Sequence, residues 1–306
     1  MTNTNWAYAS NYLVYSAMAV YTLAMIAFAV EMSLSIRTTS KMLVGSGGEE
    51  VELSVENSKM ERTGRIAVAL TALAFALHLA GVIARGVSAH RVPWGNMYEF
   101  SITASVALAG AYLLLMKKLG LRWLGLFVTF VVLIVLGTAV TLLYRPSAPL
   151  VPALKSTWLA IHVSAAIISG GVFLLASLVS ALYLYLDHKE ATGSRPIWAM
   201  RMPSLEALDQ LAYRLIAFVF PIWTFAVVAG AIWAESAWGR YWGWDPKETW
   251  AFITWVGYAA YLHARVTQGW RGRRAAWLCL LAGSTFLFNY VYVNIWGTGR
   301  HTYSGL

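Results

Sequence analysis

Residues 238–255 read WGRYWGWDPKETWAFITW, and an apolar run flanks this stretch on each side. Each run has about 20 residues, the length that a helix needs to cross the hydrocarbon core of a bilayer. One or two tryptophans per helix are enough to anchor it at a membrane interface. The higher density here, with glycines between the rings, predicts an aromatic surface for a large planar ligand. The tryptophans in and just before the stretch are Trp233, Trp238, Trp242, Trp244, Trp250 and Trp255.

Apolar runs of this length recur along the chain. Hydrophobic residues make up 59% of its 306 residues and charged residues only 12%, with a mean hydropathy of +0.59. The pattern predicts an all-α, polytopic membrane helix bundle of about eight transmembrane helices, forming one integral membrane domain over residues 1–306. The expected spans are Asn11–Ser35, Gly64–Arg85, Glu99–Met116, Leu121–Tyr144, Ser156–Leu186, Leu211–Ala234, Glu248–Val266 and Ala275–Asn294.

The net charge of +9 is explained by membrane topology, and it does not call for a nucleic acid partner. Of the 23 lysines and arginines, 16 lie in or beside one alternate set of loops and seven in the other. Because basic loops face the cytoplasm, we expect both termini and the Trp-rich loop (about 233–250) on the outer side of the plasma (inner) membrane. Residues 36–63, rich in glycine and glutamate, are expected to form a flexible cytoplasmic loop.

Two histidines share the predicted outer side with the tryptophans. His162 lies just inside the outer end of the fifth span, and His301 lies in the outer tail. A single histidine at a helix end is more often a solvated polar residue. Two imidazoles on the same side as an aromatic surface instead predict a bis-histidine site for haem iron.

His263 lies deeper in the predicted bilayer. It follows Glu248 by 15 residues, about 22 Å along a helix, at a depth where ionisable groups are costly and usually functional. It is expected either to hydrogen-bond a neighbouring helix or to ligate a second haem within the membrane. His78, in the second span, differs in depth and is expected to have a packing role.

The polar residues of the Trp-rich stretch predict a helix start. Asp245 suits the N-cap, Pro246 the first helical position, and Glu248 the third position, which together form a capping box. Arg240 and Lys247 are expected to contact either haem propionates or lipid headgroups.

The pattern W-G-x-x-W-x-W-D-P-K-E-x-W at 238–250 resembles the WWD signature of haem-handling membrane proteins. Over its whole length the chain is similar to the CcsA/ResC branch of cytochrome c synthesis proteins, a type often named CcsB in Gram-positive bacteria. Further matching segments are PWGNMYE at 93–99, WLAIH at 158–162, the helix of His263 and GTGRH at 297–301.

The resemblance implies a set of ligands for haem b. His162 and His301 would bind the iron of an external haem. His263 would bind the iron of a transmembrane haem, whose other ligand comes from a CcsB/ResB-type membrane partner. The remaining residues of the implied haem site are Trp238, Arg240, Trp242, Trp244, Asp245, Trp250 and Trp255.

The implied function is cytochrome c biogenesis. Haem would be moved outward, held on the WWD site, and presented to the CxxCH of apocytochrome c for thioether attachment, with thiol-reducing proteins acting indirectly. No residue resembles a dedicated acid or base. Whether the chain is itself an enzyme therefore stays open, and any catalysis would be positional.

Three alternatives remain. A CcmC-type haem-delivery protein also carries a WWD loop and paired histidines, but generally has six spans. A channel or transporter with an aromatic gate would show polar positions along several spans. A quinone-linked oxidoreductase subunit would need histidine pairs at matched depths. Eight spans and the position of His263 favour the synthesis protein.

Overall fold

The computed structural model describes residues 4–44, 50–146, 156–193, 195–200 and 202–301, with the backbone alone for 38–44 and 50–56. In these residues the chain forms eight long α-helices and no strands, which confirms the all-α prediction. The helices are α1 (Thr4–Val44), α2 (Glu50–Ala89), α3 (Met97–Leu119), α4 (Gly125–Thr141), α5 (Thr157–Ala191), α6 (Leu205–Trp238), α7 (Pro246–Thr267) and α8 (Arg273–Ile295). Short 3₁₀ turns cover Leu121–Leu124 and Ile197–Ala199.

Seven helical segments in the described chain are long and apolar enough to cross a membrane, and α7 is the long helix that is not among them. Helix α7 has a lower hydropathy because it carries several polar residues. These residues are buried, whereas most of its exposed large side chains are apolar. The helix is therefore amphipathic with its polar side turned inward. The buried residues of α7 are Glu248, Thr254, Tyr258, Tyr261 and Arg265, and exposed apolar ones include Phe252, Val256 and Val266.

The connection between α1 and α2 is shorter than the sequence suggested. Helix α1 continues to Val44 and α2 begins at Glu50, so most of the expected loop 36–63 is helical. These stretches hold no proline and many helix-forming residues, and they continue as helix beyond the apolar run. The glycines at 45–48 and residues 147–155 of the fourth-to-fifth connection lie outside the described residues. The sides on which the loops and termini lie stay predictions.

The Trp-rich region is likewise mostly helical. Helix α6 runs to Trp238, and Gly239 ends it in the left-handed conformation at φ +71°, which glycine adopts without steric cost. Helix α7 begins at Pro246, so only residues 239–245 join the two helices.

Helix α5 is the central element of the bundle. It packs against α3, α6 and α8, and it has the most buried membrane-length segment among the described helices. Helices α1 and α2 pair with each other and contact α4 and α3 from one side. The start of α5, the end of α6, the start of α7 and the tail after α8 meet at one end of this bundle, through the contacts described below.

Candidate functional site

The connection between α6 and α7 is held by two carboxylates. Glu248 Oε2 accepts hydrogen bonds from the backbone N–H of Gly243 (2.8 Å) and of Asp245 (3.0 Å). Asp245 Oδ1 accepts from the N–H of Lys247 at 3.1 Å. Both halves of the predicted capping box are present at the start of α7. The loop therefore leaves α6 and enters α7 in a fixed geometry.

Asp245 also holds the tail that follows α8. Its Oδ2 accepts from the N–H of Arg300 at 2.7 Å, and its Oδ1 lies 2.9 Å from Nδ1 of His301. Burial alone would raise the pKa of Asp245, but the hydrogen bonds from His301, Arg300 and Lys247 outweigh burial and lower this pKa to about 2. The carboxylate is thus ionised and can only accept, so Nδ1 of His301 carries the proton.

His162 is positioned by α6. Its Nδ1 lies 2.7 Å from the carbonyl oxygen of Ala226, and because a carbonyl only accepts, Nδ1 donates. The ring stacks on Trp233 at a centroid distance of 6.2 Å with planes 6° apart. Gly230 allows this approach, because a Cβ there would stand 2.7 Å from Cε1 of His162. The neutral form of each ring therefore has its lone pair on Nε2, the tautomer of a metal ligand held by its other nitrogen.

Trp233 connects the two histidines. The ring of this buried residue lies 5.6 Å from that of His301 and 4.8 Å from that of Trp238. Trp238 in turn meets His301 edge-on at 4.7 Å. The structure thus brings together His162, His301 and the tryptophans on the last turns of α6. The sequence named Trp233 only as the ring upstream of the loop, although its spacing of three residues from Gly230 places both on one helical face.

A cavity of about 150 Å³ opens beside the two histidines. Its wall is largely apolar, from Phe100, Leu159, Val163 and Phe286. It also contains buried polar atoms that have no hydrogen-bond partner in the described residues, namely Trp94 Nε1, Trp223 Nε1 and Asn289 Oδ1. Buried polar atoms are usually paired. The cavity thus suits a large apolar ligand with a few polar groups.

Lys247, which was expected with Arg240 to contact haem propionates or lipid headgroups, lies at the wall of the site. It lines this cavity and also a smaller one of about 50 Å³ on the α6 side. Its Nζ donates to the carbonyl oxygen of Asn289 at 3.0 Å. Burial lowers the pKa of Lys247 to about 7, against the opposing attraction of Asp245.

Arg240 has a different position. Its guanidinium lies over the Trp238 ring at 5.9 Å, and Nη1 lies 3.5 Å from Glu248 Oε1. It therefore braces the α6–α7 connection.

The other tryptophans do not join the histidine pair in one flat surface. Trp242 lines the smaller cavity and meets the exposed Trp244 edge-on at 5.8 Å. Trp250 packs on Phe288 of α8 at 4.2 Å. Trp255 donates from Nε1 to Thr224 Oγ1 of α6 at 2.9 Å. Trp250 and Trp255 thus join α7 to its neighbouring helices.

The two histidines that the sequence analysis placed within spans, His263 and His78, lie in unlike environments. The side chain of His263, on α7, is exposed. His78 is fully buried in α2, with the ring of Tyr21 from α1 perpendicular to it at 6.0 Å. The structure thus gives no support for pairing the two, as expected from their different depths.

The segment 93–99 is organised around Glu99. The sequence analysis had matched this segment to the family without a physical reason for its residues. The buried carboxylate of Glu99 accepts from Arg85 Nε at 3.0 Å, Arg91 Nη1 at 2.5 Å and the N–H of Gly95 at 2.8 Å. The side chain of Asn96 caps α3 by accepting from the N–H of Glu99 at 2.9 Å. This network fixes the loop that brings Trp94 to the cavity.

Comparison with known proteins shows the family of this chain. The model of the family described as "Cytochrome C assembly protein" matches residues 94–301. The chain is 38% identical over 240 residues to the cytochrome c biogenesis protein CcsA of Guillardia theta, covering 72% of this chain and 80% of that protein. It is 36% identical over 264 residues to the CcsA of Synechococcus elongatus, covering 72% and 81% respectively.

A solved structure shares the fold. The cytochrome c haem lyase CcmF superposes with a TM-score of 0.64 at 19% sequence identity. The match covers 95% of this chain and 47% of the CcmF chain, so this chain spans about half of that protein.

Proposed function

The chain belongs to the cytochrome c assembly protein family, as a member of the CcsA type, and from that premise we propose that it binds haem b between His162 and His301. It is a multi-pass membrane protein of cytochrome c biogenesis. The observation that carries the proposal is that the two imidazoles are hydrogen-bonded in the same way. Each is held through Nδ1 and carries its lone pair on Nε2, and both rings pack on Trp233.

The residues present fit a haem. Imidazole nitrogen is a common axial ligand of haem iron, and a hydrogen bond at the far ring nitrogen orients the ligand and raises its basicity. Ala226 provides that bond for His162 and Asp245 for His301. The adjoining cavity has a mainly apolar wall, which suits the faces of a macrocycle, and Trp233 and Trp238 lie beside the ligating rings.

The chain's own contribution to thioether attachment is positional. Two histidine ligands would fix the ring and saturate the iron, and the site would offer the haem vinyl groups to the reduced CxxCH of apocytochrome c. In this proposal the site faces the outer side of the plasma membrane, and a CcsB/ResB-type protein completes the complex.

We also propose that His263 serves a transmembrane haem with a ligand supplied by that partner. Its exposure on the surface of α7 supports this, since a shared site requires an accessible side chain. If the proposal holds, His263→Ala lowers the amount of haem that reaches the outer site of the purified complex. Unchanged loading would contradict it.

The visible spectrum of the complex purified with its partner tests the outer site. His162→Ala and His301→Ala should each lose the spectrum of haem with two histidine ligands, whereas His188→Ala, in the last turn of α5, should keep it. Retention of that spectrum in both site variants would refute the assignment. Maturation of a c-type cytochrome in a deficient host then separates a synthesis protein from a haem-delivery protein, which would bind haem but fail this assay.

A further inference from the structure

We propose that Lys247 is the receptor for a carboxylate of the bound ligand, and that it selects haem whose propionate groups are free. This inference rests on the proposed haem site and deepens it. The sequence analysis expected both Arg240 and Lys247 at haem propionates or lipid headgroups, and the structure favours Lys247 for the carboxylate.

The first support is the incomplete pairing of the half-buried charge of Lys247. The ammonium group of lysine has three N–H donors. In the described residues, Lys247 Nζ makes one hydrogen bond, to the carbonyl oxygen of Asn289. A buried charge is costly unless it is paired and hydrogen-bonded. The nearby carboxylate of Asp245 is already occupied by Arg300, His301 and the backbone of Lys247 itself.

The second support is the character of the cavity that Lys247 lines. The indole N–H groups of Trp94 and Trp223 line the same cavity, buried and without partners in the described residues. Each can only donate. The wall thus offers an ammonium group and two N–H donors in mainly apolar surroundings. A ligand with an apolar body and an anionic acceptor group would satisfy them.

Arg240 does not provide an equivalent site. Its guanidinium lies between the Trp238 ring and Glu248, within the α6–α7 connection. It also lies against Gly243, where a Cβ would overlap it. Arg240 is therefore a matched control: a cation close by in the chain that is committed to holding the loop.

The test compares haem with its dimethyl ester, in which both propionates are neutral. Dissociation constants are measured by visible titration of the apo complex, purified with its partner. The unsubstituted complex should bind haem roughly ten- to hundredfold more tightly than the ester, the range expected for a hydrogen bond between charged groups. Lys247→Met should bind both ligands about equally, at the affinity of the ester. Arg240→Met should keep the preference for haem.

Two further variants keep the test sound if Lys247→Met folds poorly. Lys247→Arg retains a cation and should retain the preference, whereas Lys247→Gln should lose it. In all variants that bind, the spectrum should still report two histidine ligands. Equal binding of haem and ester by the unsubstituted complex, or a preference that survives in Lys247→Gln, would overturn the inference. Failure of the unsubstituted complex to bind either ligand would instead overturn the haem site itself.

Discussion

At the scale of single residues, the orientation of His162 depends on Gly230. A glycine in a helix interior costs about 0.5–1 kcal/mol relative to alanine, so its presence in α6 calls for a packing reason. The imidazole occupies the space that a Cβ would need. That close approach brings Nδ1 to Ala226, four residues earlier on the same helix.

Gly230→Ala should therefore weaken haem binding by about tenfold or more without loss of protein stability, because the helix gains propensity while the imidazole is displaced. Haem titration and a thermal unfolding assay in detergent measure the two effects. Gly137→Ala in α4 is the control, since a Cβ at that position meets no atom within 4 Å. Equal haem affinity in the two variants would show that Gly230 does not position His162.

Asp245 is a second residue with a measurable role. Its pKa in the folded protein, about 2, lies below its ordinary value of 3.8. The ionised carboxylate therefore stabilises the fold at any pH above about 4, and this contribution is lost as the pH falls from about 4 towards 2.

Asp245→Asn should lower the apparent melting temperature at pH 7 by about 3 °C. The difference from the unsubstituted protein should shrink as the pH falls below 4. Differential scanning fluorimetry across this range checks it, with Asp187→Asn as the control, whose partner Arg273 is largely exposed. A difference that stays constant down to pH 2 would contradict the assigned role.

At the scale of elements, α7 is held by a buried ion pair at its far end. Arg265 Nη1 lies 2.5 Å from Asp209 Oδ1 of α6, and both side chains are at least nine-tenths buried. The guanidinium also lies over Tyr213 at 4.8 Å, and Asp209 accepts from the N–H of Gly272. This pair explains how a helix with a charged inner face remains in the bundle.

Asp209→Ala should destabilise the protein by about 3–5 kcal/mol, because it leaves Arg265 buried without its counter-charge. The double variant Asp209→Leu/Arg265→Met should recover much of that loss. Yield and thermal stability in detergent measure both. A single variant as stable as the unsubstituted protein would show that the pair has no such role.

Some features of these elements could be predicted from the sequence, and others could not. Apolar runs predicted the helices, and the Asp245–Glu248 spacing predicted where α7 begins, because both signals are local. The continuation of α1 and α2 was missed, since helix propensity beyond the membrane leaves no hydropathy signal. The sequence left Lys247 between haem propionates and lipid headgroups, because its position depends on a contact with Asn289, 42 residues further along the chain. The shared packing of both histidines on Trp233 is likewise a tertiary contact.

At the scale of the whole molecule, the site gathers distant parts of the chain. His162 comes from α5, Trp233 from α6, Lys247 from α7 and His301 from the tail after α8. Helices α1 and α2 contribute no lining residue to the cavity of about 150 Å³, and they precede the region that matches the family model. A ligand bound between the histidines would therefore tie four elements together and leave the α1–α2 pair unaffected.

Hydrogen exchange should report this division. Adding haem to the apo complex should slow the exchange of backbone amides in residues 297–301, including the Arg300 N–H that Asp245 accepts. Exchange in α1 and α2 should be unchanged, and His301→Ala should abolish the protection. Uniform protection of the whole chain, or none in the tail, would argue against ligation by His301.

The two histidines differ in how firmly the backbone holds them. His162 is built into a helix, and it moves only if α5 moves. His301 belongs to the tail after α8, where Asp245 accepts from the N–H of Arg300 and lies against Nδ1 of His301. A molecule held between them therefore has one rigid anchor and one tethered anchor. We expect an incoming ligand to displace His301 first, because the tail can move away from the site. His162, on α5, should stay bound until the haem leaves.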